Sequence, residues 1–199
     1  MDTFRYVLAV VLWATIPPAF LYWYLIHPFA EYWRTVGPAR TYLVVGAVCL
    51  VAMGMLLRWN GPVAPTDLGQ NFPLFYAGLI VWMASILLER RVRKQLDFRT
   101  LAGVPELGSA PPEEDPVLLN DGIYGRMRHP RYLAALLGIV AWSMMANYGT
   151  GYALAALMIP ALWGLIRMEE QELVDRFGTA YVEYRERVPA IVPRAKLGD

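Results

Sequence analysis

The 199-residue chain has a single cysteine, Cys49, so it can hold neither an intrachain disulfide framework nor a thiolate metal site. Cys49 lies in an apolar run and reads as a small hydrophobe packed in a helix. Charge is scarce as well. Asp, Glu, Lys and Arg make up 18% of the residues, against about 25% in soluble globular domains. No strand–GxGxxG–helix pattern is present, which removes the usual dinucleotide cradle. No internal repeat is visible, and no nucleic-acid partner or metal is expected. The N-terminus lacks the marks of a cleaved secretory signal. Only Arg5 precedes a long first apolar run, and no small-x-small cleavage site follows it. The first segment is therefore expected to be a retained anchor.

What the chain has instead is apolar length. Hydrophobic residues make up 57%, with seven Trp and twelve Tyr, the composition of side chains that settle at bilayer interfaces. Five apolar stretches approach the 20 or so helical residues that cross a membrane: Phe4 to Ile26, Thr41 to Leu57, Phe72 to Leu88, Tyr132 to Met145 and Tyr152 to Ile166. Pro17-Pro18 should bend the first, and Gly46 and Gly54 should let the second approach a neighbour closely. The last two are short for full spans and are expected to form a tight hairpin turning at Asn147–Gly151. The fold expected is all-α, a polytopic membrane helical bundle of about five transmembrane helices with cytoplasmic amphipathic tail helices. It forms one integral membrane domain over residues 1–199. Residues 1–88 carry three N-terminal transmembrane helices, and 89–199 a cofactor-binding loop, the hairpin and the tail.

Lys and Arg concentrate between Glu89 and Arg131 and after Ile166, with Arg34 and Arg40 in the first loop. Putting these on one side leaves Arg5 and Arg58 opposite. The positive-inside rule then makes the C-terminus cytoplasmic and the N-terminus external, in the cell membrane. Gly103 to Pro116 is rich in Gly and Pro, and is either a solvated linker or a lid over a cytoplasmic site. From Arg167 to Val188 the apolar stripe Leu173, Phe177, Tyr181, Tyr184 and Val188 predicts amphipathic helix. Gly178 suits a C-cap and Thr179 a new N-cap, so two helices should meet at Phe177-Gly178.

Two polar clusters stand at the ends of the expected hairpin. Arg126, Arg128, His129 and Arg131, with Tyr132, mark its entry, and Arg167-Met168-Glu169-Glu170-Gln171-Glu172 its exit. Each alone is ordinary for a membrane helix end, as interfacial anchors or as i,i+4 pairs such as Glu172–Arg176 and Glu183–Arg187. A hairpin that begins and ends on one side brings them face to face. Donors for a carboxylate, a carboxylate for an ammonium group and an aromatic face then meet in partly dry space, which suits a zwitterionic, cationic ligand.

The ordered set Gly122-x-Tyr124, Arg128-His129-Pro130-x-Tyr132, a hydrophobic hairpin, Glu169-Glu170, Phe177-Gly178-x-x-Tyr181-x-x-Tyr184 and Val188-Pro189 resembles the isoprenylcysteine carboxyl methyltransferase family, in the manner of a short prokaryotic-type member. The resemblance spans roughly two-fifths of the chain. It implies a membrane-integral methyltransferase with S-adenosylmethionine in a cytoplasm-facing pocket and a lipophilic, membrane-partitioned or lipid-anchored acceptor. Carried over position by position, Pro116, Val117, Leu118, Leu119, Tyr124, His129, Pro130, Arg131, Tyr132 and Glu169 would contact the cofactor. Arg167 and Glu170 are the candidates for catalysis. The family places an arginine for the substrate carboxylate four residues before the Glu pair, and here that position is Leu165. The acceptor expected is therefore a thiol, amine or hydroxyl rather than a carboxylate. Two other readings remain: an NADPH-dependent reductase of the sterol-reductase type, whose 2′-phosphate the arginines would serve, and a non-catalytic scaffold binding anionic lipid.

Overall fold

A computed structural model describes residues 2–95 and 118–192, apart from the side chains of Ala30 and Glu31. The expected lid at 103–116, together with Pro116 and Val117, lies outside these residues. Seven α-helices are present among the described residues: α1 (Asp2–Ile26), α2 (Ala30–Val36), α3 (Pro38–Arg58), α4 (Phe72–Arg93), α5 (Pro130–Ala146), α6 (Gly149–Phe177) and α7 (Thr179–Arg187). Their only β-type pairing is an isolated antiparallel bridge, Asp67 to Tyr148. The fold is an all-α polytopic bundle.

Four helices, α1, α3, α4 and α6, are long and apolar enough to cross a membrane, and α5 is apolar but shorter. The expected shortness of the last segment is corrected: α6 runs 29 residues, because its apolar half continues without a break into the polar stretch that follows. α1 likewise passes through Pro17-Pro18 as one helix. Only 11% of the apolar windows of α3 and α4 is buried inside the protein, and Leu43, Leu50, Met55 and Ile80 stand exposed. A surface so apolar is stable against lipid tails, not water.

The interior is built where small residues admit neighbours. α4 packs along α5, and a Cβ on Gly78 would lie 2.8 Å from Met145 Cγ and 2.9 Å from the Ala141 carbonyl oxygen. Ser85 Oγ donates to the Ala134 carbonyl at 2.8 Å on the same seam. Gly46 and Gly54 do not play this part; a Cβ on either meets nothing within 4 Å, and Gly46 lines an open groove between α1 and α3.

The α5–α6 turn is set by Asn147, which caps α5 in the left-handed region at φ 54°, a conformation asparagine tolerates. Beside it, buried Arg5 draws α1 into the turn. Its Nε donates to the Ala146 carbonyl at 2.9 Å, and its guanidinium pairs with Asp67 and lies over the Tyr148 ring. Asn147 Nδ2 in turn donates to the Gly69 carbonyl at 2.8 Å. These bonds tie α1, the α3–α4 loop and the hairpin turn together at one end of the bundle. The polar clusters gather at the other.

Candidate functional site

α6 and α7 join at Gly178, whose φ of 58° and ψ of −132° only glycine adopts readily. Gly178 itself serves as the N-cap of α7, one residue before the expected Thr179. The resulting bend folds α7 back, so that Tyr181, Tyr184 and Val188 pack with Leu173, Val174, Phe177 and Leu118. The expected amphipathic stripe is thus a small core of its own, and Leu118 is part of it.

The loop before α5 is held against this core from two sides. Gln95, just past α4, donates to Asp121 Oδ1 at 2.9 Å and accepts from the Ile123 amide at 3.2 Å. Tyr184 Oη donates to the Tyr124 carbonyl at 2.7 Å. Burial pushes the Tyr184 phenol up to about 12, so it remains a neutral donor. Leu119 packs with Ile123, Tyr124 and Met127. The Arg128 and His129 amides then donate to the Pro189 and Ala190 carbonyls at 2.9 and 2.8 Å, in the manner of a short extended pairing.

This frame aims two basic side chains at the Glu pair of α6. Arg128 Nη2 and Nε reach Glu170 Oε1 at 2.6 and 2.9 Å, while its Nη1 donates to the Arg185 and Val188 carbonyls. His129 Nε2 is 3.0 Å from the same Glu170 oxygen, and Nδ1 is 3.4 Å from Glu169 Oε2. Burial disfavours a charged imidazole here, but the two adjacent carboxylates outweigh it and hold the His129 pKa above its ordinary value. Tyr132 stacks on His129 with centroids 5.6 Å apart. Pro130 fills the first turn of α5 and is buried, and Arg131 lies 4.6 Å over the Trp23 ring of α1.

The structure therefore brings Tyr124, His129, Pro130, Arg131, Tyr132, Glu169 and Glu170 to one end of the bundle. Arg167 stacks on Trp163 and lines a groove of about 450 Å³ together with Arg128, Glu170 and Arg185. The expected helical pairs also resolve differently. Glu172 pairs with His27 and Arg34 rather than Arg176, and Arg187 donates to the Glu183 backbone carbonyl, not its carboxylate.

Two atoms at this end are buried and make no close hydrogen bond among the described residues: Tyr181 Oη, and Glu169 Oε2, which has only the 3.4 Å ion pair with His129. A buried carboxylate oxygen and a buried phenol left so are costly, and both are suited to a polar ligand. The Glu169 oxygen fits an ammonium or sulfonium centre, Arg131 a carboxylate and Tyr132 an aromatic or cationic group. The chemistry of a zwitterionic methyl donor matches this set. Trp23 of α1 and His27 of the turn after it, the latter paired with Glu172 of α6, complete the site end. No motif marked Trp23 and His27, whose neighbours are an undifferentiated apolar helix.

A family model for phospholipid methyltransferases matches residues 74–180, more than half of the chain. The chain belongs to that family. The match contains every described candidate residue from Leu118 to Glu170. Among curated relatives, a protein-S-isoprenylcysteine O-methyltransferase of Schizosaccharomyces pombe is 34% identical over 40% of this chain and 34% of its own length. A methanethiol S-methyltransferase of Bradyrhizobium diazoefficiens is 39% identical over 36% of this chain and 27% of its own. A Delta(14)-sterol reductase of Mus musculus is 30% identical over 51% of this chain and 24% of its own. The matched stretches thus span about a quarter to a third of these relatives. No solved structure matches.

Proposed function

We propose that this phospholipid methyltransferase family member uses S-adenosylmethionine to methylate a lipophilic, membrane-partitioned acceptor, with its site and C-terminus facing the cytoplasm. The observation that carries the reading is the buried Glu169 Oε2, which faces His129 Nδ1 at 3.4 Å beside Tyr132 and makes no closer hydrogen bond among the described residues. S-Adenosylmethionine, when bound, supplies an electrophilic methyl group on a sulfonium. Glu169 balances the ligand's positive charge, Arg131 holds its carboxylate and Tyr132 gives it an aromatic face. The gain is then mainly proximity in a site screened from water. An apolar groove of about 430 Å³ between α1 and α3 shares Trp23 with the site end, which suits an acceptor with a hydrocarbon tail.

The acceptor atom is taken to be neutral. Leu165 is 1% exposed and packs with Tyr132, Leu162, Ile166, Phe20, Trp23 and Tyr24. An acceptor carboxylate there would be desolvated without a cation. A thiol, as the name of the Bradyrhizobium relative describes for that protein, meets no such cost. The reductase reading has one observation in its favour, the matched stretch of the mouse protein. Thermal melts of the detergent-purified chain separate the two, since only a native-state ligand raises the midpoint. S-Adenosylmethionine should raise it and NADPH should not; the reverse would make the protein a reductase. Labelled donor offered with a farnesylated cysteine analogue should give little base-labile ester until Leu165→Arg is introduced. Rapid ester formation by the wild type would return the acceptor to a carboxylate.

A further inference from the structure

On α6, Ile159, Trp163 and Arg167 recur every four residues and so share one face. The apolar part of that face is open, with Ile159 59% and Trp163 50% exposed. In a helix long and apolar enough to cross a membrane, such side chains meet lipid tails. Arg167 ends the apolar run, and its guanidinium lies 5.4 Å from the Trp163 ring centre. An aromatic ring paired with a cation in this way settles at a bilayer interface. Trp163 and Arg167 then line the groove of about 450 Å³, together with Ile166 and Glu170 of α6, Arg128 before α5 and Arg185 of α7. Leu165 and Glu169 each follow Trp163 and Arg167 by two residues, a rotation of about 200°. The groove face of α6 is therefore turned nearly opposite to theirs.

The charges in the groove do not cancel. Glu170 Oε1 accepts from Arg128 Nη2 at 2.6 Å and lies 3.0 Å from His129 Nε2, so its charge is met within the protein. The exposed side chains of Arg167 and Arg185 have no carboxylate partner among the described residues. Two guanidinium groups are thus in excess beside an apolar ridge. A soluble anion would answer the charge and leave the ridge bare, whereas an anionic lipid answers both. We propose that this groove holds the phosphate headgroup of an anionic phospholipid, as a resident lipid and not as the methyl acceptor. Its phosphate oxygens accept from the forks of Arg167 and Arg185, and its chains run along Trp163 and Ile159. The Arg185 carbonyl also accepts from Arg128 Nη1 at 2.9 Å, so a lipid drawn against Arg185 braces α7 on α6 beside the Arg128–Glu170 pair. None of this depends on the methyltransferase reading.

The test uses the full chain in neutral detergent. Native mass spectrometry reads the apparent Kd for dioleoylphosphatidylglycerol and for dioleoylphosphatidylcholine, and thermal melts compare phosphatidylglycerol with inorganic phosphate. Wild type should prefer phosphatidylglycerol and gain thermal midpoint from it. Arg167→Gln and Arg185→Gln should each weaken that lipid about fivefold, and the double variant roughly thirtyfold. Arg90→Gln with Arg91→Gln on α4 removes the same charge and should change it less than about twofold. Undiminished affinity in the Arg167/Arg185 double variant would overturn the proposal. An equal loss in the α4 variant would do the same, since attraction would then be diffuse. Equal binding of the two lipids by the wild type, which needs no variant to fold, also overturns it. Inorganic phosphate raising the midpoint as far as phosphatidylglycerol does would make this a site for a free anion instead.

Discussion

Between Glu169 and Glu170 the His129 ring faces two carboxylates at once, and this makes it the residue on which the site most depends. Truncating one member of such a set leaves the others buried and unpaired, at about 1–3 kcal/mol. His129→Ala and Glu169→Ala should each weaken S-adenosylmethionine binding by roughly 5- to 150-fold in calorimetry. Glu183→Ala, on the exposed side of α7, should leave it unchanged. Undiminished affinity in both site variants would remove them from the donor site. The raised His129 pKa also sets a pH dependence. A group whose pKa is higher folded than unfolded contributes stability that is complete below the unfolded value, about 6.5, and is lost as pH rises through the folded one. The thermal midpoint without ligand should therefore fall above neutrality, and His129→Gln should flatten that fall. A wild-type profile that rises over the same window would contradict the assignment.

At the scale of elements, the close approach expected at Gly46 and Gly54 is made instead at Gly78, which nothing in the sequence singled out. A Cβ at Gly78 meets Met145 and the Ala141 carbonyl, while at Gly46 it meets nothing. Gly78→Ala should cost about 1–3 kcal/mol through overpacking, seen as a lower thermal midpoint, and Gly46→Ala should be close to neutral. Equal effects would mean that α4 and α5 are not in such close contact. The helices themselves were legible because apolar length carries their signal, and Gly178 marked the α6–α7 junction by its conformational freedom. The assignment of glycines to seams was not legible. Every face of a membrane helix is apolar, so periodicity does not distinguish the side that meets protein from the side that meets lipid. The same holds for Trp23 and His27: the loop and Glu clusters announced themselves by local chemistry, but their α1 partners are joined to them only by tertiary packing.

For the molecule as a whole, polar groups are sorted to the two ends of an apolar bundle, and the ends do different things. One is closed by Arg5, which is 2% exposed and tied to Asp67, Ala146 and Tyr148. The Gly69 amide and Arg5 hold the Asp67 carboxyl below its usual range. Arg5 is thus neutralised in place and has little weight as a topological charge, leaving Arg58 as the one arginine at that end with no ion pair among the described residues. The other end carries Arg34, Arg90, Arg91, Arg93, Lys94, Arg126, Arg128, Arg131 and the arginines of α6 and α7. Loop arginines and lysines resist transfer across a membrane during insertion, so the asymmetry is sharper in the structure than in a bare count. The N-terminus should therefore lie outside and the C-terminus in the cytoplasm, with five crossings once α5 is included. Single cysteines placed at Asp2 and Asp199 in a Cys49→Ser background check this in intact cells. An impermeant maleimide should label the first and leave the second unlabelled until the membrane is opened. Labelling of both ends from one side would require an even number of crossings, and would make α5 a helix that enters the bilayer without spanning it.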